Sequence, residues 1–257
     1  MSEPQTDEPR TIPAATVVIF RHAAAGGPPE ILMVQRAKEM RFAGGAAVFP
    51  GGRIDPSDRE LAAHLAPISD LDLAAARVAG IRETLEETGL AIALTRPVRA
   101  AEAADARAML VEQGALAPVL ERFGWKLDLD TLVPFARWCP RWEGAFDTRF
   151  FLADLGTGAV EIAVDATENT RLFWTTAADA VAMATTGEIS VIFPTHRNLD
   201  RLALFANYVE ARDHALAHPV RTITPEREDR DGVTWLTIPK DRGYPVTEQP
   251  MNLVKRG

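Results

Sequence analysis

Cysteine is almost missing from this chain: Cys139 stands alone among 257 residues. One thiol cannot build a disulfide framework within the chain, and it excludes a four-ligand cysteine zinc site. Cys139 therefore reads as a partly buried free thiol in a reducing compartment. Long apolar runs are also lacking. No stretch approaches the roughly 18 to 20 residues of a membrane span, and Ser2-Glu-Pro-Gln-Thr-Asp-Glu-Pro9 has neither the basic end nor the apolar stretch of a signal peptide. The expectation is a cytoplasmic protein with no membrane partner. Basic charge is in deficit, with a net charge of −8, and that argues against nucleic acid, whose phosphates require a basic face. Internal repeats are absent, and beyond an alanine bias so is low complexity.

What is present suits a soluble globular chain, with 47 % hydrophobic and 25 % charged residues. Residues 1–12 are polar and proline-punctuated and read as a flexible tail, with order beginning near Ala14. Thr16-Val-Val-Ile-Phe20 and Ile31-Leu-Met-Val-Gln35 predict two strands separated by Gly26-Gly-Pro-Pro29, and Ala46-Ala-Val-Phe49 a third that ends at Pro50-Gly-Gly52. Helical spacing of Ala74, Val78, Ile81 and Leu85, followed by Gly89, predicts a helix over 71–88. A strand is expected at 90–94, helix over 97–123, and strands at 132–138 and 148–155. Leu199, Leu202, Phe205, Val209 and Leu216 predict one long amphipathic helix over about 195–217, packed on the domain or on a second subunit. Strand and helix alternate, so the fold class is mixed α/β.

The helix over 71–88 carries an acidic stripe. At about 100° per residue, Glu83, Glu86 and Glu87 fall within one sector of about 100°. Val78, Ile81 and Leu85 form a separate stripe to bury, which leaves the acids facing a cleft or solvent. Like charges three and four residues apart destabilise a helix, and Arg82 offsets only part of that. Clustered hard oxygen ligands suit Mg²⁺ or Mn²⁺ bound together with water and phosphate oxygens.

The string Arg82-Glu-Thr-Leu-Glu-Glu-Thr-Gly-Leu90 resembles the second half of the Nudix box. Gly51-Gly-Arg-Ile-Asp-Pro-Ser-Asp58 resembles the first, with Asp58 where the family normally has Glu. Residues 59–81 separate Asp58 from Arg82, far more than the family's short connection; loop-closure entropy grows slowly with length, so the helix can still dock. The resemblance implies an α/β/α sandwich with a mixed sheet, helical insertions and a C-terminal amphipathic helix. It would be one domain over 13–257, with insertions near 59–73 and 97–125 and an extension from about 190. It further implies that Glu83, Glu86 and Glu87, with the backbone carbonyl near Gly52, hold the metal, and that Arg82 orients the glutamates. The general base varies between Nudix families; the candidates are Glu83, Glu87 and Glu168.

Leu32-Met-Val-Gln-Arg-Ala-Lys-Glu-Met-Arg-Phe-Ala-Gly-Gly-Ala-Ala-Val-Phe-Pro-Gly-Gly52 is similar to the coenzyme A motif of Nudix CoA diphosphatases. Arg36, Arg41, Gly51 and Gly52 become substrate-binding candidates, since two separated guanidinium groups can each take a phosphate of one ligand. The box insertion and the segment around Phe151 also resemble the branch that includes the peroxisomal acyl-CoA diphosphatases, although the chain ends Val254-Lys-Arg-Gly257 without the peroxisomal tripeptide. The expected reaction is hydrolysis of CoA or acyl-CoA to 3′,5′-ADP and a 4′-phosphopantetheine product. Another nucleoside diphosphate such as ADP-ribose, or a non-catalytic nucleotide sensor, stays open, as does a homodimer. Trp138, Trp142 and Phe150 could stack on adenine, but aromatic residues in or beside strands more often belong to a core.

Overall fold

The β-branched run Thr16–Phe20 sits in a strand that extends past it on both sides, β1 (Ile12–Arg21), and the strand is buried on both faces. That pattern belongs to a central strand covered by helices above and below. The computed structural model describes residues 9–23, 26–40, 43–65, 70–156 and 169–254. After β1 the order is β2 (Glu30–Arg36), β3 (Ala47–Val48), β4 (Gly51–Arg53), α1 (Pro56–His64), α2 (Leu71–Thr88), α3 (Ala100–Gln113) and α4 (Leu116–Phe123). There follow β5 (Val133–Trp138), β6 (Phe146–Asp154), β7 (Asn169–Thr176), α5 (Ala177–Thr186), α6 (Phe193–Leu202), α7 (Tyr208–Ala217), β8 (Thr222–Ile223), β9 (Glu226–Arg230), β10 (Val233–Thr237) and β11 (Glu248–Pro250).

The main sheet is mixed and runs β3-β2-β1-β6-β5-β8, with β4 also on β1 and β7 also on β2. β1 lies parallel to β6 along its whole useful length, from Ile12↔Phe146 to Phe20↔Asp154. It pairs with β2 only at one end, Phe20↔Ile31 and Arg21↔Glu30. At the other end its neighbour is β4, in the register Ala15↔Gly52 and Thr16↔Gly51, while β3 stays on β2. Residues 47–53 therefore bridge a split between two diverging strands, and the glycine pair is held at the fork.

Successive side chains of β1 alternate between two cores. Ala15, Val17 and Ile19 pack with Ala75, Val78, Ala79 and Leu85 of α2 and with Leu110 and Val119 of α3 and α4. Val18 and Phe20 pack on the opposite side with Trp138, Ala180, Phe193, Leu199 and Ala211. The result is the expected α/β/α sandwich. Among the described residues no helix is long and apolar enough to cross a membrane.

Helix α2 occupies residues 71–88 as the spacing predicts. The Asp70 side chain accepts the Leu73 N–H at 2.9 Å at its start, and Gly89, at φ 74°, ends it. Four expectations need correction. Residues 90–94 form no strand: Leu90 and Ile92 are buried, but Ala93 takes φ 55° and breaks the extended backbone, leaving a single bridge from Leu94 to Leu127. The helix over 97–123 is two helices, because Gly114 at φ 66° ends α3. The C-terminal helix over 195–217 is also two. Asn207 caps α7 by accepting the Glu210 N–H at 2.9 Å, and Glu210 Oε2 accepts the Ala206 N–H at 2.9 Å, a local hydrogen-bonding set that restarts the helix. Leu199 and Leu202 are buried as expected, whereas Val209 and Leu216 face out. Finally, β1 starts at Ile12, two residues before Ala14; residues 1–8 lie outside those described. Beyond α7, β8 joins the sheet parallel to β5, and β9, β10 and β11 form a separate antiparallel sheet.

Candidate active site

Two glycines fix the first wall of the site. At Gly51, φ is 154° and an added Cβ would lie 2.3 Å from the Ala15 carbonyl oxygen, so only glycine fits against β1. Its N–H donates to Glu87 Oε2 at 2.9 Å. At Gly52 an added Cβ would lie 2.3 Å from Glu83 Oε1. The missing side chains let β4 and the second half of α2 approach until backbone and carboxylates touch.

Arg82 ties the other wall together. It is 4 % exposed. Its Nε and Nη2 donate to the two oxygens of Asp58, each at 3.0 Å, Nη2 also donates to the Arg53 carbonyl at 2.9 Å, and Nη1 donates to Glu83 Oε1 at 3.0 Å and Glu86 Oε2 at 3.5 Å. Asp55 Oδ2 lies 3.4 Å from Nη2. Burial alone would lower the pKa of this guanidinium. The hydrogen bonds donated to Asp58 and the charges of Glu83, Asp58 and Asp55 outweigh burial and raise it, so Arg82 is firmly charged. Asp58, 1 % exposed, is at the third position of α1, where it also accepts the Asp55 N–H at 2.9 Å. A second link joins the same two helices, Arg59 Nη1 to Asp72 Oδ1 at 2.5 Å.

The three glutamates are graded in depth. Glu87 is 4 % exposed and accepts from Gly51 and, at 3.4 Å, from Asn169 Nδ2. Burial, then the charge of Glu83, pushes its pKa up to about 8 against the opposing Gly51 N–H, Arg36 and Asn169. Glu83 is pushed up to about 7, again chiefly by burial, with Arg82 opposing and Glu86 adding to the rise. The Glu86 side chain is 39 % exposed at the mouth, and its backbone carbonyl accepts Arg107 Nε at 2.8 Å. Of the acidic stripe expected to face a cleft or solvent, Glu86 reaches solvent, whereas β4 covers one side of α2 and buries Glu87.

Arg36 ends β2 opposite Asn169, the first residue of β7, next to a register shift. Its Nε and the Asn169 Oδ1 are buried with no hydrogen-bond partner among the described residues. Asn169 was not singled out in the sequence; the cue was its place just before the apolar run of β7, where the neighbouring acid drew the reading instead. Glu168 and Arg41 lie outside the described residues. Of the aromatic candidates, Phe150 is in the core and Trp138 is buried with its Nε1 donating to the Tyr244 hydroxyl at 3.1 Å; only Trp142 is exposed. Cys139 is half-buried, and burial pushes its thiol pKa up, away from reactivity.

Five carboxylates, Asp55, Asp58, Glu83, Glu86 and Glu87, meet two guanidiniums here, Arg82 and Arg36. Among the described residues no three acidic, histidine or cysteine side chains converge at metal-ligating distances. The donors nevertheless fit a hard divalent cation in kind: carboxylate oxygens with an excess of negative charge, two of them buried deeply enough to resist ionisation.

No protein-family model and no curated protein matches the sequence. Among solved structures, a NUDIX hydrolase from Alicyclobacillus acidocaldarius is 33 % identical, with 80 % of this chain and 96 % of that chain covered and a TM-score of 0.67. The NUDIX domain of Shewanella oneidensis NrtR complexed with ADP ribose is 13 % identical over 77 % of this chain and 89 % of that one, at a TM-score of 0.39. A C. elegans Ap4A hydrolase is 18 % identical over 69 % and 88 %, at 0.38.

Proposed function

The chain belongs to the Nudix hydrolase family, and from that membership we propose a metal-dependent diphosphatase whose substrate is CoA or an acyl-CoA, cleaved to 3′,5′-ADP and a 4′-phosphopantetheine product. The observation that carries the catalytic part is the contact of the Gly51-Gly52 fork with Glu87 and Glu83 on α2, with Arg82 linking Glu83 to Glu86 at the mouth. In this reading those glutamates and the Gly52 carbonyl hold Mg²⁺ or Mn²⁺. The chemistry such an ion supplies is neutralisation of the diphosphate and acidification of a water. Gly51 fixes Glu87 through its N–H, and Arg82 positions Glu83 and Glu86 with its donors already engaged. Glu87 or Glu83 accepts the proton of the attacking water, a task suited by carboxylate pKa values raised toward neutrality; Glu168 is the third candidate. Arg36, with an Nε–H lacking an acceptor beside Glu87, binds a substrate phosphate. The preference for CoA rests on the segment 32–52, in which Arg41 would serve a second phosphate.

Purified protein with Mg²⁺ should release 3′,5′-ADP from CoA or acyl-CoA faster than it cleaves ADP-ribose, NADH or diadenosine polyphosphates, as identified by chromatography of the products. Efficient cleavage of ADP-ribose with CoA untouched would move the substrate class. No turnover of any of these, with wild type and Glu86→Gln indistinguishable, would leave a nucleotide-binding protein without catalysis.

Gly52→Ala is expected to lower kcat on the order of 10²-fold, because the added methyl displaces the Glu83 carboxylate and misplacements of about 1 Å cost that much. Near-unchanged circular dichroism alongside the lost rate is the supporting result.

A second expectation concerns metal removal. The folded-state pKa values of Glu83 and Glu87, about 7 and about 8, lie above the ordinary 4.5. Between those limits the folded chain binds more protons than the unfolded one, so this contribution favours folding at pH 4.5 and is lost as pH rises through 7 to 8. Metal-free protein should melt lower at pH 8.5 than at pH 6, and Mg²⁺ should raise Tm more at the higher pH, each 1 kcal/mol appearing as roughly 2–4 °C. Differential scanning fluorimetry with and without chelator checks both signs.

A further inference from the structure

We propose a second site on this protein, on the opposite face and far edge of the sheet from Glu83 and Glu87, that binds a phosphate dianion, free or as the head of a small phosphomonoester. The site is an open cleft of about 270 Å³ lined by β5, the end of α6, the segment after α7, β8 and the turn at Lys240–Arg242. Arg201, Arg221, Arg242, Asp241 and His218 supply its polar lining, and apolar residues of β5 and β8 the remainder. The proposal does not depend on the substrate reading above.

Arg201 carries the argument. It is 3 % exposed and has no carboxylate partner among the described residues. Its plane is fixed between aromatic rings, 4.1 Å from the Phe135 centroid and 5.3 Å from that of Tyr244. Nη1 donates to the Phe135 carbonyl at 3.1 Å and Nη2 donates to His214 Nδ1 at 3.3 Å, which makes that imidazole nitrogen an acceptor. Aromatic faces and neutral acceptors orient a guanidinium but leave its charge uncompensated, and buried charge without a counterion is costly. The Nε–H of Arg201 is buried with no acceptor, and so is the Nε–H of Arg242.

The neighbours add to the excess. Asp241 accepts from Arg242 Nη1, and its Oδ2 lies 2.9 Å from Arg221 Nη1. It makes no bond to Arg201. Three guanidiniums thus face one carboxylate, on a chain whose net charge is −8. A local reversal of sign, built around one immobilised arginine and two at the rim, matches an anion that accepts several N–H donors at once. Phosphate fits this description, because its several oxygens are spaced to accept paired N–H donors from planar guanidiniums.

Isothermal titration with inorganic phosphate, at ionic strength held constant with chloride, tests the site. Arg201→Met risks the fold because the side chain is buried, so the decisive variants are Arg221→Gln and Arg242→Gln, whose side chains reach solvent. Wild type should bind phosphate, either rim variant should raise Kd roughly tenfold or more by loss of a charge-assisted pair, and Arg36→Gln should leave Kd unchanged. A small phosphomonoester that competes with phosphate would assign the ligand to that class; failure to compete would assign free phosphate. Absence of phosphate binding, equal Kd in wild type and both rim variants, or loss of binding in Arg36→Gln would overturn the proposal.

Discussion

Glu87→Gln is expected to lower kcat on the order of 10²–10⁴-fold while raising the thermal stability of the metal-free protein at pH 8. The rate loss follows from removing a buried carboxylate that is either a metal ligand or the proton acceptor, since groups of this kind contribute about that much. The stability gain follows from the environment. Glu87 ionises against burial and against the charge of Glu83, with a pKa of about 8, and an isosteric amide removes both costs while still accepting the Gly51 N–H. Opposite signs for activity and stability mark a residue kept for function. Glu86→Gln supplies the contrast: its side chain reaches solvent, so kcat should fall without the gain in Tm. Melting curves at pH 6 and pH 8, with rates measured on the same preparations, decide the matter. Equal kcat in Glu87→Gln and wild type would remove Glu87 from the reaction.

The difference between Glu86 and Glu87 was not visible in the sequence, and the reason is physical. Helical periodicity places both on one stripe, but depth depends on what covers the stripe, and β4 reaches α2 only because β1 and β2 diverge. The same limit hid Asn169, which reaches Glu87 across 82 positions, and the partner of Asp58, 24 positions away. Local signals were legible. The boundaries of α2 follow from Asp70, from the spacing of its apolar residues and from Gly89, whereas Pro50-Gly-Gly52, read as the end of a strand, supplies two residues of β4. Where local signals competed, the sequence reading failed. Apolar periodicity continued from Leu199 to Leu216, yet α6 stops at Leu202 and the Asn207 cap starts a second helix, and the apolar run at 90–94 reached the core without a neighbouring strand because of Ala93.

Arg82→Ala should destabilise the protein by about 3–5 kcal/mol, the typical result of removing one partner from a buried ion pair. The loss is large because Arg82 serves several acceptors. Without it, Asp58, 1 % exposed, is stranded beside Asp55, Glu83 and Glu86. For a chain of this size that corresponds to a Tm lower by on the order of 10 °C. One feature separates this account from one in which Arg82 binds substrate. In the double variant Arg82→Met with Asp58→Leu, the combined loss should be well below the sum of the single losses, because neither partner is then left unpaired. A substrate-binding arginine would instead raise KM, leave Tm nearly unchanged and show no coupling to Asp58. If the single variants prove additive, the pairing between α1 and α2 is not what holds the helix against β4. If they couple, the long insertion between Asp58 and Arg82 is tolerated because this pair closes it.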